Sequence, residues 1–257
     1  MALDKDIVGS IEFLEVEGLQ GSTYLLKGPN GEQVKLNQSE VADEDEFEIG
    51  EEYSFFVYPN RSGELFATQN MPDITKDKYD YAKVLKTDRD GARIDVGLPR
   101  EVLVPWEDLP KIKELWPQAG DYLLVTLRID SNNQMFGRLA SETIVEGMFT
   151  PVVDDSKQNE MIEARAYRLL RVGSFLLSED GYKIFVHESE RKQEPRLGEK
   201  VEVRIIGHND KGELNGSFLP LAHERLADHG QVILDLLVEY DGDLPFCDKS
   251  SPEAIKE

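Results

Sequence analysis

One cysteine, Cys247, stands among 257 residues. An internal disulfide and any cysteine-based metal site are therefore excluded. No apolar run approaches the ~20 residues that a membrane helix needs. Residues 1–9 lack the basic stretch and apolar core of a secretory signal. The expectation is a cytoplasmic chain with no membrane partner, in which the sequons at Asn37, Asn60 and Asn215 carry no weight. Basic residues are also scarce. Lysine and arginine number 29 against 51 acidic side chains, a net charge of −22. Phosphate contacts supply most non-specific affinity for nucleic acid, so this balance speaks against a general nucleic-acid binder. Gly-rich phosphate loops, nucleophile elbows and paired catalytic carboxylates beside a histidine are missing too. The expectation is a non-enzymatic protein without cofactor or metal.

The charge is unevenly spread. Residues 1–72 carry 4 basic and 15 acidic side chains, net −11, and residues 73–160 carry 12 and 17, net −5. Residues 161–220 carry 10 of each, net 0, and residues 221–257 carry 3 and 9, net −6. Only the third segment would not repel a phosphate chain.

Much of the chain reads as short alternating strands punctuated by Gly, Asn and Asp turns, as in Tyr182 to His187, Val201 to Ile205 and Ala92 to Val96. This period predicts a sandwich or barrel. One pattern occurs three times. A Gly-containing hairpin leads to a strand ending in a Ser-Glu-like pair. After a gap come Gly-Glu or Gly-Asp, a strongly apolar strand, a polar turn and a last strand. The pairs are Ser39-Glu40, Glu107-Asp108 and Ser189-Glu190, and the Gly-acid steps are Gly50-Glu51, Gly120-Asp121 and Gly198-Glu199. The apolar strands are Tyr53–Tyr58, Leu123–Ile129 and Val201–Ile206, each expected as the fourth of its repeat. Extra length before the third copy falls at Pro151 to Asn159, a polar stretch read as a linker. Five strands in about sixty residues, closed so that no long edge is bare, fit the OB barrel. The predicted class is mainly β: three tandem five-stranded OB-type barrels at 1–72, 73–150 and 161–220.

The third copy, Gly181 to Phe218, resembles the RNA-binding S-one domain over its whole length; the other two resemble it in skeleton only. The whole chain resembles the conserved virulence factor B family of Gram-positive bacteria. The residues carrying that match are ELWPQAGD (Glu114–Asp121), AYRLLRVGSF (Ala166–Phe175), HESERKQEPRLGE (His187–Glu199) and DKSSPEAIKE (Asp248–Glu257). The resemblance implies three S-one barrels, a C-terminal winged helix, and a regulatory role in virulence gene expression with single-stranded RNA as partner.

In OB-type barrels a single strand lies across the second and third strands, with aromatics stacking on bases and cations meeting the backbone. In the third barrel this points to Phe175 on the second strand and to Lys183, Phe185 and His187 on one face of the third. Ile184 and Val186 would then point inward. Arg168, Arg171 and Arg204 are candidate phosphate contacts. The blander alternative is that the phenylalanines cap the core and the arginines are solvated surface. The other barrels depart from the pattern. Asn37 and Pro105 hold the position of His187, and Arg93 that of Phe175. Trp106 and Trp116 read as packing anchors.

Leu226, Ile233 and Leu237 give a helical face over about 221–240, and Ser251 with Pro252 starts a second helix. With the resemblance, the expectation for 221–257 is the helical start of an incomplete winged-helix domain. His223, Glu224 and His229 are too irregularly spaced for a metal site. Asp43 to Glu46 reads as a solvated acidic loop. The rival to RNA binding is a protein-interaction scaffold in which the acidic first barrel docks a basic partner.

Overall fold

The computed structural model describes residues 7–41, 47–60 and 62–221, with Leu234, Asp235, Leu237 and Val238 of the tail. Three closed five-stranded barrels follow one another. Barrel 1 contains β1 (Ile11–Gln20), β2 (Thr23–Lys27), β3 (Gln33–Asn37), β4 (Glu52–Pro59) and β5 (Leu65–Thr68). Barrel 2 contains β6 (Asp80–Asp88), β7 (Gly91–Asp95), β8 (Val102–Pro105), β9 (Tyr122–Ile129) and β10 (Met135–Leu139). Helix α1 (Glu142–Met148) comes next. Barrel 3 contains β11 (Met161–Leu170), β12 (Gly173–Ser178), β13 (Lys183–His187), β14 (Lys200–His208) and β15 (Leu214–Ser217). In each, the third and fifth strands pair in parallel and the first and fourth antiparallel, so the ring closes as first, second, third, fifth, fourth. The three apolar segments expected as fourth strands are β4, β9 and β14.

The repeated sequence signals have a common physical cause. The first strand of each barrel is bulged after Val16, Val84 or Ala166. A bulge bends the strand enough to close a small barrel. The Gly-acid step locks it from the far side. Gly50, Gly120 and Gly198 donate to the carbonyls of Val16, Val84 and Ala166 at 2.8, 2.9 and 2.7 Å. The amides of those residues return bonds to Glu51, Asp121 and Glu199 at 3.0, 2.8 and 3.1 Å. The three glycines have φ of 91°, 99° and 81°, a region that side chains with a Cβ rarely enter. The fourth-to-fifth hairpins share a second device. Asn60 Oδ1 accepts from the amides of Ser62 and Glu64, Asp130 Oδ1 from Asn132 and Gln134, and Asn209 Oδ1 from Lys211 and Glu213. Such side-chain turns are why Asn and Asp recur there.

The barrels share their cores. Phe56 and Tyr58 of barrel 1 and Leu197 of barrel 3 belong to the buried cluster of barrel 2. Between barrels 2 and 3, Arg196 forks onto Asp121 with two bonds of 3.2 Å, and the amides of Leu197 and Tyr122 bond across to Leu115 and Gly198 at 2.9 and 3.1 Å. Val145 of α1 is wholly buried with Leu124 of barrel 2 and Leu177 of barrel 3.

The stretch from Pro151 to Asn159, read as a linker, connects α1 to barrel 3 and is fastened to that barrel. Val152 donates to Gly212 at 3.0 Å and Asn159 to Ile205 at 2.9 Å, so it clings to barrel 3. Trp116 packs on the barrel 2 core, as an anchor should, but Trp106 is 54% exposed because it sits on the helical turn after β8. In the tail the described residues are helical; the second helix, His223, Glu224 and His229, and the acidic run Asp43 to Glu46, lie outside the described residues. No helix among the described residues is long and apolar enough to cross a membrane.

Candidate nucleic-acid interface

Strand alternation makes one face of barrel 3. Ile184 and Val186 are fully buried, so Phe185 and His187 point outward. On β12 the neighbours Ser174 and Leu176 are buried and Phe175 emerges half-covered. Register then aligns a row across four strands: Arg168 opposite Phe175, Phe175 opposite Phe185, and Phe185 opposite Asn215. The Phe175 and Phe185 rings lie 4.9 Å apart at 43°, and His187 meets Phe185 edge-on at 6.2 Å. Half-exposed aromatics side by side on a barrel face are a stacking surface for planar groups.

Gly173, opposite His187, lets this surface form. A Cβ there would fall 2.4 Å from the Val186 carbonyl and 2.5 Å from the Phe185 ring. The ring thus lies over bare backbone. His187 is exposed, and its Nδ1 accepts from the Ser189 amide at 3.2 Å and bonds the Ser189 hydroxyl at 2.9 Å. That capping of the next helical turn fixes the imidazole beside Phe185.

The cations separate into different roles. Arg168 lies with its guanidinium 5.7 Å from the Phe175 ring centre while an arm bonds Glu142 at 2.9 Å. Arg171, in the β11–β12 turn, is exposed and pairs with no carboxylate among the described residues. Arg204 stands opposite Met161 and Ser217 on β14, so the structure does not bring it into the aromatic row.

Lys183 requires a correction. It has the outward parity of Phe185 and His187, yet it is 5% exposed. Its ammonium bonds Glu142 of α1 and, at 2.7 Å, Glu213. The strand faces outward here, but α1 covers that end of the face. Lys183 is a buried ion-pair centre and not a phosphate contact. Burial pushes the Glu142 and Glu213 carboxyls up, but hydrogen bonds from Lys183, with Arg168 and Asn209 respectively, more than reverse this and hold both below the usual carboxylate range. Lys183 is held above its ordinary value by the same bonds despite burial. Burial and the adjacent Glu142, which accepts from its hydroxyl at 3.2 Å, push Tyr167 up strongly. Glu142 therefore organises one end of the site. Sequence reasoning missed it, since it lies on a seven-residue helix before the barrel and carries no motif.

The same rows in the other barrels are chemically different. Barrel 2 presents Lys86, Arg93, Leu103, Phe136 and Arg128, with Pro105 opposite Gly91. Arg93 is tied to Asp88 at 3.4 Å and Asp90 at 3.7 Å. Barrel 1 presents Leu25, Lys35 and Phe66, with Asn37 opposite Thr23 and Lys35 tied to Glu64 at 2.7 Å. Neither brings two aromatic rings together on its second and third strands.

Three S1-type barrels in tandem define the class: a regulatory-type protein built from nucleic-acid-binding-type modules. Residues 8–70 match the S1 domain, residues 79–138 the profile described as the CvfB first S1-like domain, and residues 148–220 that described as virulence regulatory factor CvfB, second domain. The chain belongs to the conserved virulence factor B family. It is 90% identical over its full length to the conserved virulence factor B of Staphylococcus epidermidis strain RP62A, covering 86% of that protein. It is 86% identical, with the same coverage, to those of Staphylococcus haemolyticus and Staphylococcus aureus strain USA300. A crystal structure from Streptococcus pneumoniae TIGR4, described as a multidomain protein with nucleic acid binding domains, superposes with a TM-score of 0.74 at 30% identity, covering 98% of this chain and 87% of that one.

Proposed function

We propose that this chain is a non-catalytic, single-stranded RNA-binding protein acting in bacterial gene regulation, and that barrel 3 leads the binding. The observation that carries this reading is the Phe175–Phe185 pair, 4.9 Å apart on the outer face of the one barrel whose sequence is charge-neutral. Bases stack on the two rings and on His187, while Arg168 meets the backbone beside them and Arg171, in the β11–β12 turn, meets it further along the strand. The affinity comes from stacking, which is worth ~1–3 kcal/mol per base and needs little net positive charge. The nucleic-acid description of the pneumococcal structure and the regulatory description of the family profile support it. The test is Phe175→Ala with His187→Ala. Affinity for a short single-stranded RNA should fall at least five- to 150-fold with the fold intact. Asn37→Ala and Pro105→Ala, at the matching positions, should do much less. Equal losses from all three barrels would refute the lead of barrel 3.

A second reading is favoured by a separate observation. On the acidic barrel 1, Phe13 is 67% and Ile11 46% exposed, two apart on β1. An exposed apolar anchor on a segment of net charge −11 suits a basic protein partner. Under this reading a gel shift with short single-stranded RNA shows no complex, and Phe13→Ser weakens capture of an arginine-rich peptide.

A further inference from the structure

A groove of about 970 Å³ runs between barrels 2 and 3. It lies at the upper end of the ~300–1,000 Å³ of ordinary ligand sites. Arg168 is the point of continuity, since it belongs both to the aromatic row and to the groove wall. The groove's apolar surface includes Leu109, Pro110, Ile112, Leu169 and Leu170, of which Ile112 is 56% and Leu170 38% exposed. Apolar surface left open at that level calls for an occupant.

The charges along the rim narrow its chemistry. Asp108, Glu142 and Glu194 are held by Arg138, Arg168 and Arg191 at 3.2, 2.9 and 3.0 Å. Two exposed cations face the groove without a carboxylate partner among the described residues: Lys111 from barrel 2 and Arg171 from barrel 3. Glu188 is the acid left over. One free cation on each wall, above an apolar surface that begins where the stacking row ends, fits a chain of alternating phosphates and flat bases. A small anion would not use the apolar length, and a duplex keeps the flat faces of its bases stacked away from it.

We propose that this groove is the second half of the RNA track. The strand leaves the Phe175–Phe185 surface at Arg168 and continues between the barrels, with phosphates on Arg171 and Lys111 and bases against Leu170 and Ile112. Barrel 2 thus contacts RNA through the segment after β8 and not through its own second and third strands. The inference rests on the RNA reading above.

The experiment measures fluorescence anisotropy of the full chain with oligouridylates of four and ten nucleotides; four is the small end of the range for one such barrel. Lys111→Ala with Arg171→Ala should weaken the ten-mer about tenfold and lower its salt slope by ~1.4, from ~0.7 per phosphate. The four-mer should change less than twofold. Both side chains are exposed, so folding is not at stake. Lys27→Ala with Lys83→Ala, the same change in net charge elsewhere, should leave the ten-mer within twofold. An unchanged ten-mer, an equal loss for both lengths, or an equal loss from the control pair overturns the groove assignment. Four-mer binding that survives Phe175→Ala with Phe185→Ala overturns the stacking surface instead. If neither length binds the wild type, both readings fail.

Discussion

Replacing Lys183 by methionine separates a buried ion-pair centre from a phosphate contact. The ammonium bonds Glu142 and, at 2.7 Å, Glu213, with its own side chain 6% exposed and theirs 28% and 24%. Removing one partner of a fully buried pair costs ~3–5 kcal/mol. Here each acid keeps about a quarter of its surface in water and another donor: Arg168 and Tyr167 for Glu142, Asn209 for Glu213 at 2.8 Å. The expected loss is therefore nearer ~2–3 kcal/mol, within reach of a charged hydrogen bond or two. For a unit of this size that is about 4–12 °C in Tm. Adding Glu142→Gln and Glu213→Gln should restore most of it, because whole ion groups exchange for neutral ones at little cost. The salt slope of RNA binding should not move. Scanning calorimetry beside affinity measurements at several salt concentrations decides the matter. If Tm is unchanged while the slope falls by ~0.7, Lys183 meets a phosphate and the ion-pair account is wrong.

The same ion group sets an acid limit. Glu142 and Glu213 are held below the ordinary glutamate value of ~4.3, so their stabilisation is present above it and disappears as pH falls through the folded values; the stability gap between wild type and Lys183→Met, followed by urea midpoint, should be constant from about pH 5 to 9 and close in acid. Gly173→Ala should cost about 1–3 kcal/mol by overpacking and should also weaken RNA binding, since the new methyl displaces the Phe185 ring; a stability loss with unchanged affinity would contradict the role given to that ring. Barrel 1 should repel RNA: Glu17, Glu48, Glu51 and Glu52, all exposed, changed together to Gln should raise the association rate in low salt and lose the effect above about 0.1 M, where screening acts within ~10 Å. Neutralisation is the proper test and deletion is not, because Phe56 and Tyr58 of barrel 1 are part of barrel 2's core.

What could be read in the sequence was what the backbone must repeat. The Gly-acid steps at Gly50, Gly120 and Gly198 recur because each closes on a bulge with positive φ, a demand that chain geometry imposes on all three copies. The alternation of β13 correctly separated Ile184 and Val186 from Phe185 and His187. Parity gives the face of a sheet and says nothing about what lies on that face. Lys183 was misjudged for that reason, since its cover comes from α1, an element of seven residues, too short to show a helical period. Arg204 lies off the aromatic row, opposite Met161 and Ser217, a placement that alternation within its own strand does not give. The inter-barrel groove carries no sequence signal, as its walls come from residues that meet only when two barrels dock.

The glycine beside the stacking surface shows why a barrel's fold does not tell whether it binds. Barrel 2 keeps Gly91 where barrel 3 has Gly173, and a Cβ there would fall 2.1 Å from the Val104 carbonyl. In barrel 2, then, close strand approach alone requires a glycine at this position. Only in barrel 3 is an aromatic ring also within 2.5 Å of that Cβ position, because Phe185 stands where barrel 2 has Leu103. Barrel 1 has Thr23 there and manages without either. The glycine is thus a feature of the closing barrel that barrel 3 has turned to a second use, and the informative signal is the glycine together with aromatics two residues after it and two residues before the end of the next strand. The cations follow the same division. Lys35 and Arg93 are tied by acids of their own barrels, Glu64 and Asp88, so their faces are neutralised from within. Arg168 is tied by Glu142, which comes from outside barrel 3, and it keeps its guanidinium 5.7 Å from Phe175 while it is held. A carboxylate that orients an arginine over an aromatic ring places a cation beside the paired rings without adding net charge, which is how, under the proposed RNA reading, a chain at −22 offers a local phosphate contact.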